Sequence, residues 1–299
     1  MILKVGSRGE EVRELQELLD MHPVDGIFGE ATEKAVRLFQ MAESSLVMDG
    51  IVGEKTLSRL YRLRDDEDLS TDLQEVQEHV NYETHYLSDG EYISTPTSKK
   101  YIFLHHTAGW DNPFKVVDMW NNDKVGRIAT EFVVGGSCIS NKVIDSPYNG
   151  TVVKCIPDGG YAWHLGRTGS SYMHKHSVGI EMCNFGWLKD GKTYTGTEAS
   201  EEQIVKLSKP FRGYSEWHRY SSKQLESLRK LILFVANRDG IDPRVGLVEW
   251  IKDKGADAFE LNQGAYGGEV RGLLSHSSVR KDKFDVSPQP DLIDMLLSL

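Results

Sequence analysis

Apolar residues recur at helical spacing through the first part of the chain. Val12, Leu15, Leu18 and Leu19 form one run, Ala35, Val36, Leu38 and Phe39 a second, and Leu57 and Leu60 a third. One apolar stripe per run predicts three amphipathic helices. Between them a phrase repeats: Asp25-Gly-Ile-Phe-Gly-Glu-Ala-Thr32 returns as Asp49-Gly-Ile-Val-Gly-Glu-Lys-Thr56. An internal repeat marks a unit built twice. Asp-Gly predicts a turn, and Gly29 and Gly53 are expected to take backbone angles that a side chain forbids. The acidic residue ahead of each helix suits its positive end. Such turns also serve as plain connectors in a small helical bundle. A calcium loop is not expected, because the alternating Asp and Asn ligands of an EF-hand are missing.

Residues 64–96 are charged and are expected to connect two domains, with one short helix capped by Ser70 or Thr71. Beyond residue 100 the period changes. Lys100 to Gly109, KYIFLHHTAG, predicts a strand with Tyr101, Phe103, His105 and Thr107 on one face and Ile102, Leu104 and His106 on the other. Thr130–Gly135, Val152–Ile156 and Ser177–Met182 predict further strands. Phe114, Val117 and Trp120 sit at helical spacing, and Ser222–Arg238 is the clearest helix, with Leu225, Leu228, Leu231, Ile232 and Val235 on one face. Ser221 and Gln224 predict a capping box at its start. A last helix follows Pro290, with Leu292, Met295, Leu296 and Leu299. Gly186–Tyr220 and Gly240–Gly272, rich in Gly, Trp and Tyr, are expected to be loops that shape a cleft. Strands alternating with helices predict an α/β fold for this part.

The 299 residues, 39% hydrophobic with six Trp and twelve Tyr, suffice for two modest domains or one large one. The formal net charge of −10 argues against a nucleic-acid partner and against simple attraction to an anionic membrane. Cys138, Cys155 and Cys183 are widely spaced and odd in number, so free thiols are expected. The N-terminal MILKVGSRGEEV has no apolar signal-peptide core, and no apolar run approaches a membrane span. The expectation is a chain made in the cytoplasm without a signal peptide or membrane anchor.

Residues able to ligate a metal or move protons lie in four ordered contexts: His105-His106, Trp163-His164, Glu181 at the end of an apolar strand, and the late segment from His276 to Asp285. A catalytic zinc site needs about three N, O or S ligands and one open position. His105, His276 and Asp285 satisfy that, but His164, His106 and Asp282 would serve equally by chemistry. The plainer readings are ordinary histidines at a strand end, a packed His164 beside Trp163, and a Glu181 that is only an ion-pair partner. Cys183 is expected to pack in the core. His174, His176 and His218 carry no signature and are expected at the surface or in loops.

Two resemblances sharpen this picture. VGSRGEEVRELQELL, VDGIFGEATEKAVRLFQ and DGIVGEKTLSRL, in that order, resemble the peptidoglycan-binding domain carried by many cell-wall hydrolases. FLHHTAG, WHLG, SVGIEM and HSSVRKDKFDVSPQP, over residues 95–299, resemble the zinc-dependent type 2 N-acetylmuramoyl-L-alanine amidases, a family that also holds the peptidoglycan recognition proteins. The resemblance implies a mixed central sheet flanked by helices, preceded by a three-helix module. It implies a peptidoglycan-binding domain at 1–63, a linker at 64–96 and a catalytic domain at 97–299. It makes His105, His276 and Asp285 the ligands of one zinc ion. Glu181 becomes the group that works with the attacking water, and Lys283 the cation that steadies the developing oxyanion. His164, Trp163 and Thr107 fall at the substrate cleft.

Three departures matter. Where some branches carry a Tyr-His pair on the second strand, this chain has Thr130-Glu131, which makes Glu131 a second acid–base candidate. Where many members read Asp-Pro-Gly, it has Asp285-Val-Ser. The spacing from His276 to Asp285 is one residue shorter than in the usual form, which keeps Asp282 open as the third ligand. The resemblance implies a monomeric, phage-endolysin-like peptidoglycan hydrolase that cleaves the amide between N-acetylmuramic acid and L-alanine. A non-catalytic peptidoglycan-recognition protein, a structural wall or virion protein and a stem-peptide endopeptidase are the alternatives.

Overall fold

The computed structural model describes residues 2–19, 21–42, 46–47, 49–53, 55–61, 80–124, 126–140, 145–166 and 171–299. The chain divides into two units, Met1–Gln74 and Glu75–Leu299. The division falls within the stretch expected to connect them. The short helix expected at Ser70 or Thr71 lies outside the described residues.

The first unit contains α1 (Glu10–Leu18), α2 (Glu30–Ala42) and α3 (residues 55–61). Leu3, Val12, Leu15, Phe28, Val36, Val52 and Leu60 form its core. The repeat reaches further than the Asp-Gly phrase, into a pair of buried glutamines. Gln16 Nε2 donates to Asp25 Oδ1 at 2.8 Å and to the Ile27 carbonyl at 3.2 Å, while its Oε1 accepts the Gly26 N–H at 2.8 Å. Gln40 makes the same three bonds to Asp49, Ile51 and Gly50, at 3.0, 2.9 and 2.9 Å. Each glutamine therefore locks the turn that follows its own helix, satisfying buried amide groups that would otherwise be orphaned.

The turn angle falls on a different glycine from the one expected. Gly26 and Gly50 take φ of +71° and +73°, whereas Gly29 and Gly53 are not left-handed. The Asp-Gly glycine makes the turn. Gly29 instead opens α2, accepting the Glu33 N–H through its carbonyl.

The second unit is built on a six-stranded mixed sheet in the order β1-β4-β3-β5-β2-β9. Its strands are β1 (Tyr82–Thr84), β2 (Tyr101–His106), β3 (Phe132–Val134), β4 (Val152–Lys154), β5 (Ser177–Met182) and β9 (Gly272–Ser275). Only the β3–β4 pair is antiparallel. The strand β1 comes from the segment expected to be linker and pairs with β4. All six residues of β2 are buried, as a strand covered on both faces requires.

Helices α4 (Pro113–Asn122), α5 (Ser171–Lys175), α6 (Ser222–Asp239), α7 (Leu247–Lys254), α8 (Gln263–Tyr266), α9 (His276–Val279) and α10 (Pro290–Leu297) complete the unit. Ser221 caps α6 by accepting the Gln224 N–H, but the expected capping box does not close. The Gln224 amide turns inward and donates to the carbonyls of Val134 and Cys183 at 3.2 and 3.0 Å. Buried carbonyls at the end of β3 and just past β5 compete better for that donor than a helix end does.

The stretch expected as loop at Gly186–Tyr220 instead folds into a second, three-stranded sheet. Its strands are β6 (Trp187–Leu188), β7 (Ile204–Phe211) and β8 (Tyr214–His218), in the order β6-β8-β7. Gly240–Gly272 likewise carries α7 and α8. In β7 the exposed lysines and Pro210 mask the strand signal, because one face is solvated.

Replacing Gln16 or Gln40 by Ala should destabilise the first unit by about 1–3 kcal/mol each, the cost of orphaning buried partners. Urea denaturation of the full chain, read from a probe in that unit, measures this. Wild-type midpoints in both variants would show that the clamp contributes nothing.

Candidate metal centre

Strand pairing assembles the site. In β2, His105 lies beside Glu181 of β5, and Leu104 lies beside Ser275 of β9. Because these pairs are parallel, all three strands deliver their last residues to one edge, where open α/β sheets place ligands. Past that edge β9 passes directly into α9. Ser275 caps the helix by accepting the Ser278 N–H at 3.2 Å, which sets His276 in its first turn. The Ser277 N–H donates to the Asp285 carbonyl at 2.8 Å and holds the following loop against α9.

Three side chains converge there. His105 Nδ1 lies 3.1 Å from His276 Nδ1 and 3.2 Å from Asp285 Oδ2, and His276 Nδ1 lies 2.8 Å from the same oxygen. All three residues are buried, and among the described residues they are the one such group spaced to hold a metal ion. Burial pushes the His105 imidazole down to about 4, so it is neutral at pH 7. Burial alone would raise the Asp285 carboxyl, but His276 and His105 outweigh it and hold the group well below the usual carboxylate range. A neutral imidazole such as His105 and an ionised carboxylate such as Asp285 are the forms in which these groups ligate a metal.

The donor set fits a zinc ion. Two imidazole nitrogens and one carboxylate oxygen crowd together out of water, and three acceptors cannot satisfy one another without a proton or a cation between them. His276 Nε2 is buried with no hydrogen-bond partner among the described residues, so that side of the ring offers no competing role. Two N and one O ligand with an open fourth position is the pattern of a catalytic zinc site.

A cavity of about 460 Å³ opens onto the trio and is lined also by His164, Glu181 and Lys283. Burial raises the Glu181 carboxyl well above its ordinary value, Asp285 adds to the rise and Lys283 opposes it. His164 lines the cavity, but both its ring nitrogens are engaged, Nδ1 with His105 Nε2 at 2.9 Å and Nε2 with Ser177 Oγ at 2.7 Å. Thr107 sits at the mouth, yet its hydroxyl accepts the N–H groups of Gly109 and Asn184 and so braces the turn. Trp163 is not among the lining residues. It packs edge-on against Tyr161 and His174.

The remaining candidates stay outside the trio, although His106 and Asp282 also line the cavity. His106 points to the other face and lies 3.0 Å from the Tyr220 hydroxyl. Asp282 stays outside the trio, paired with Arg280, with its side chain 63% exposed. Glu131 is 3% exposed and bound to Arg238 at 2.5 Å, because a carboxylate so deeply buried needs a cation. It is therefore an ion-pair partner, not an acid–base group.

His174 and His218 are corrections, since both are buried. His174 Nδ1 accepts the His164 N–H and His218 Nδ1 accepts that of Phe185. Tertiary backbone donors recruited these rings, which no local pattern announces. His176 is half-buried, Cys183 packs in the core, and all three cysteines are free. Ser177 and His174, behind His164, carry no sequence signal either.

A mixed α/β sheet with a two-histidine, one-carboxylate cluster at its strand ends defines a class of candidate metallohydrolase. The chain matches the N-acetylmuramoyl-L-alanine amidase family over residues 95–283 and a putative peptidoglycan binding domain over residues 8–60. The first match spans more than half of the chain, which belongs to the N-acetylmuramoyl-L-alanine amidase family. A curated relative, the zinc D-Ala-D-Ala carboxypeptidase of Streptomyces albus G, is 43% identical over 72 residues, 22% of this chain and 28% of the relative's length. Among solved structures, PlyL aligns over 69% of this chain and 86% of its own at 10% identity and a TM-score of 0.38. The amidase AmiD from E. coli, solved with anhydro-N-acetylmuramic acid-L-Ala-D-gamma-Glu-L-Lys, aligns over 58% and 59% at 20% identity and a TM-score of 0.33. No helix among the described residues is long and apolar enough to cross a membrane.

Asp282→Ala should leave bound metal at the wild-type level, measured by elemental analysis after dialysis. Loss of metal in that variant would make Asp282, not Asp285, the third ligand.

Proposed function

We propose that this chain is a zinc-dependent peptidoglycan hydrolase that cleaves the amide between N-acetylmuramic acid and L-alanine of the stem peptide. The observation that carries the reading is the convergence of His105, His276 and Asp285 at one end of a cavity that Glu181 and Lys283 also line. Family membership agrees with it. Zinc bound by those three residues supplies Lewis acidity, acidifying water and polarising a carbonyl.

The chain's own groups do the rest. Glu181, with its carboxyl raised by burial, accepts a proton from the attacking water and returns it to the departing amine. The Lys283 ammonium places positive charge where the amide oxygen becomes negative. His105, neutral and fixed at the end of β2, contributes its Nδ1 to the site and no proton.

The N-terminal module, matched over residues 8–60, holds the enzyme on its polymeric substrate. Tethering raises the local substrate concentration without any new contact at the cleavage site. A peptidoglycan-binding module beside an amidase domain suits a phage endolysin acting as a monomer on the bacterial wall.

Mass spectrometry of digested peptidoglycan should show free stem peptides beginning with L-alanine. Fragments cut within the stem would make it an endopeptidase, and intact sacculi beside bound zinc would make it a recognition protein. His276→Ala and Asp285→Ala should each lose metal and activity together. Glu181→Gln should keep its zinc and lose about 10²–10⁴ in rate, the span of one general acid–base group. Full activity in Glu181→Gln would remove the proton-transfer role.

A further inference from the structure

His105 has two ring nitrogens, and both are spoken for. Nδ1 faces His276 and Asp285, and Nε2 lies 2.9 Å from His164 Nδ1. A neutral imidazole carries one proton, so which nitrogen is bare is decided by its neighbours. The geometry assigns His164 and Ser177 as positioning residues of the metal site, a relay that keeps the proton of His105 on Nε2 and leaves Nδ1 bare for the ion. This rests on the metal-site reading above.

The relay has a direction. His105 Nε2–H donates to His164 Nδ1, which leaves His164 Nε2–H to donate to Ser177 Oγ at 2.7 Å. The Ser177 hydroxyl donates in turn to the His174 carbonyl at 3.4 Å. A carbonyl can only accept, so the chain ends on a group that cannot be reversed. Run the other way, with Ser177 donating to His164, the same bonds would put a proton on His105 Nδ1, against the carboxylate of Asp285 and in the place of the metal. Rotation of the Ser177 hydroxyl, coupled to a tautomer change in the two rings, separates the two arrangements.

The surroundings hold the relay rigid. The His164 ring stands edge-on to Phe103 and to His174, and the His164 N–H donates to His174 Nδ1 at 3.2 Å. That bond fixes His174 with its proton on Nε2, 3.2 Å from the Gly166 carbonyl. Gly179 of β5 leaves the room, since a Cβ there would sit 3.2 Å from His164 Nδ1 and 2.7 Å from the Thr130 methyl.

Support is one-sided. Among the described residues His276 Nε2 has no hydrogen-bond partner, so of the two histidine ligands only His105 is clamped from behind. Metal-ligating histidines usually lean on a carboxylate or a carbonyl. Here the partner is a second imidazole ending in a hydroxyl, which orients the ring without adding negative charge beside the cation.

The test reads metal affinity and tautomer, not turnover. Zinc affinity of the full chain is measured by competition with a chromophoric chelator. The ring tautomers of the zinc-loaded protein are read by long-range ¹⁵N–¹H NMR. Ser177→Ala should weaken zinc binding about 10- to 100-fold, the usual cost of losing such a supporting group. Ser177→Thr, which keeps the hydroxyl, should recover most of it, and His164→Phe should lose at least as much as Ser177→Ala. In the wild type, His105 and His164 should both carry their proton on Nε2. Wild-type affinity in Ser177→Ala or His164→Phe, or a proton on His105 Nδ1 in the zinc-loaded protein, would overturn the relay while leaving the metal site standing. A wild-type chain that binds no zinc would overturn both.

Discussion

Parallel pairing of β2 between β5 and β9 is the constraint on which the site depends. It aligns His105 with Glu181 and ends β9 one residue before His276, so two candidate ligands and a carboxylate reach one edge of the sheet together. A shift of one residue in either pairing would turn the facing side chains to the opposite surface of the sheet. The pairing is held by what a doubly covered strand offers: apolar faces on both sides and a full ladder of hydrogen bonds. His105 is therefore positioned by a fully buried strand, and the loop that brings Asp285 only has to meet it.

The electrostatics follow from the same burial. Excluding water makes a charged imidazole unfavourable and an unpaired carboxylate expensive. Three groups that would each prefer water are instead crowded around a common point, a costly arrangement for a protein that has no use for a cation there. Elsewhere in the same unit a buried carboxylate is neutralised from within, as Arg238 does for Glu131. At the trio no lysine or arginine among the described residues closes the arrangement, and Lys283 lines the cavity in front of it. That contrast separates a structural ion pair from a ligand cluster.

The N-terminal unit shows the same economy on a smaller scale. One pattern of three hydrogen bonds, from Gln16 and again from Gln40, sets both turns of the repeat. A duplicated sequence phrase became a duplicated bond network because a buried amide must pair both of its ends. The family match over this stretch and the match over the second unit put a wall-binding module and a hydrolase domain on one chain.

Much of this was legible in the order of residues alone. Periodicity marked α1, α2, α6, β2 and β5, because one-sided burial leaves a 3.6- or 2-residue signature. The motif order marked the family and the three residues that meet at the centre. Side-chain chemistry by itself could not separate His105 from His106, nor Asp285 from Asp282, since each pair carries equal chemistry and differs only in where the chain turns it. It also hid β1, β7, β8 and β9, which are short or half solvated, and the burial of His174 and His218, which answer backbone donors distant in sequence. Local pattern determined which segments became helix or strand and which chemistry was available. Tertiary pairing decided which nitrogen faces the candidate metal site, which carboxylate is already spent on an arginine, and which serine stands behind the site, because those depend on distances between residues that the chain itself keeps far apart.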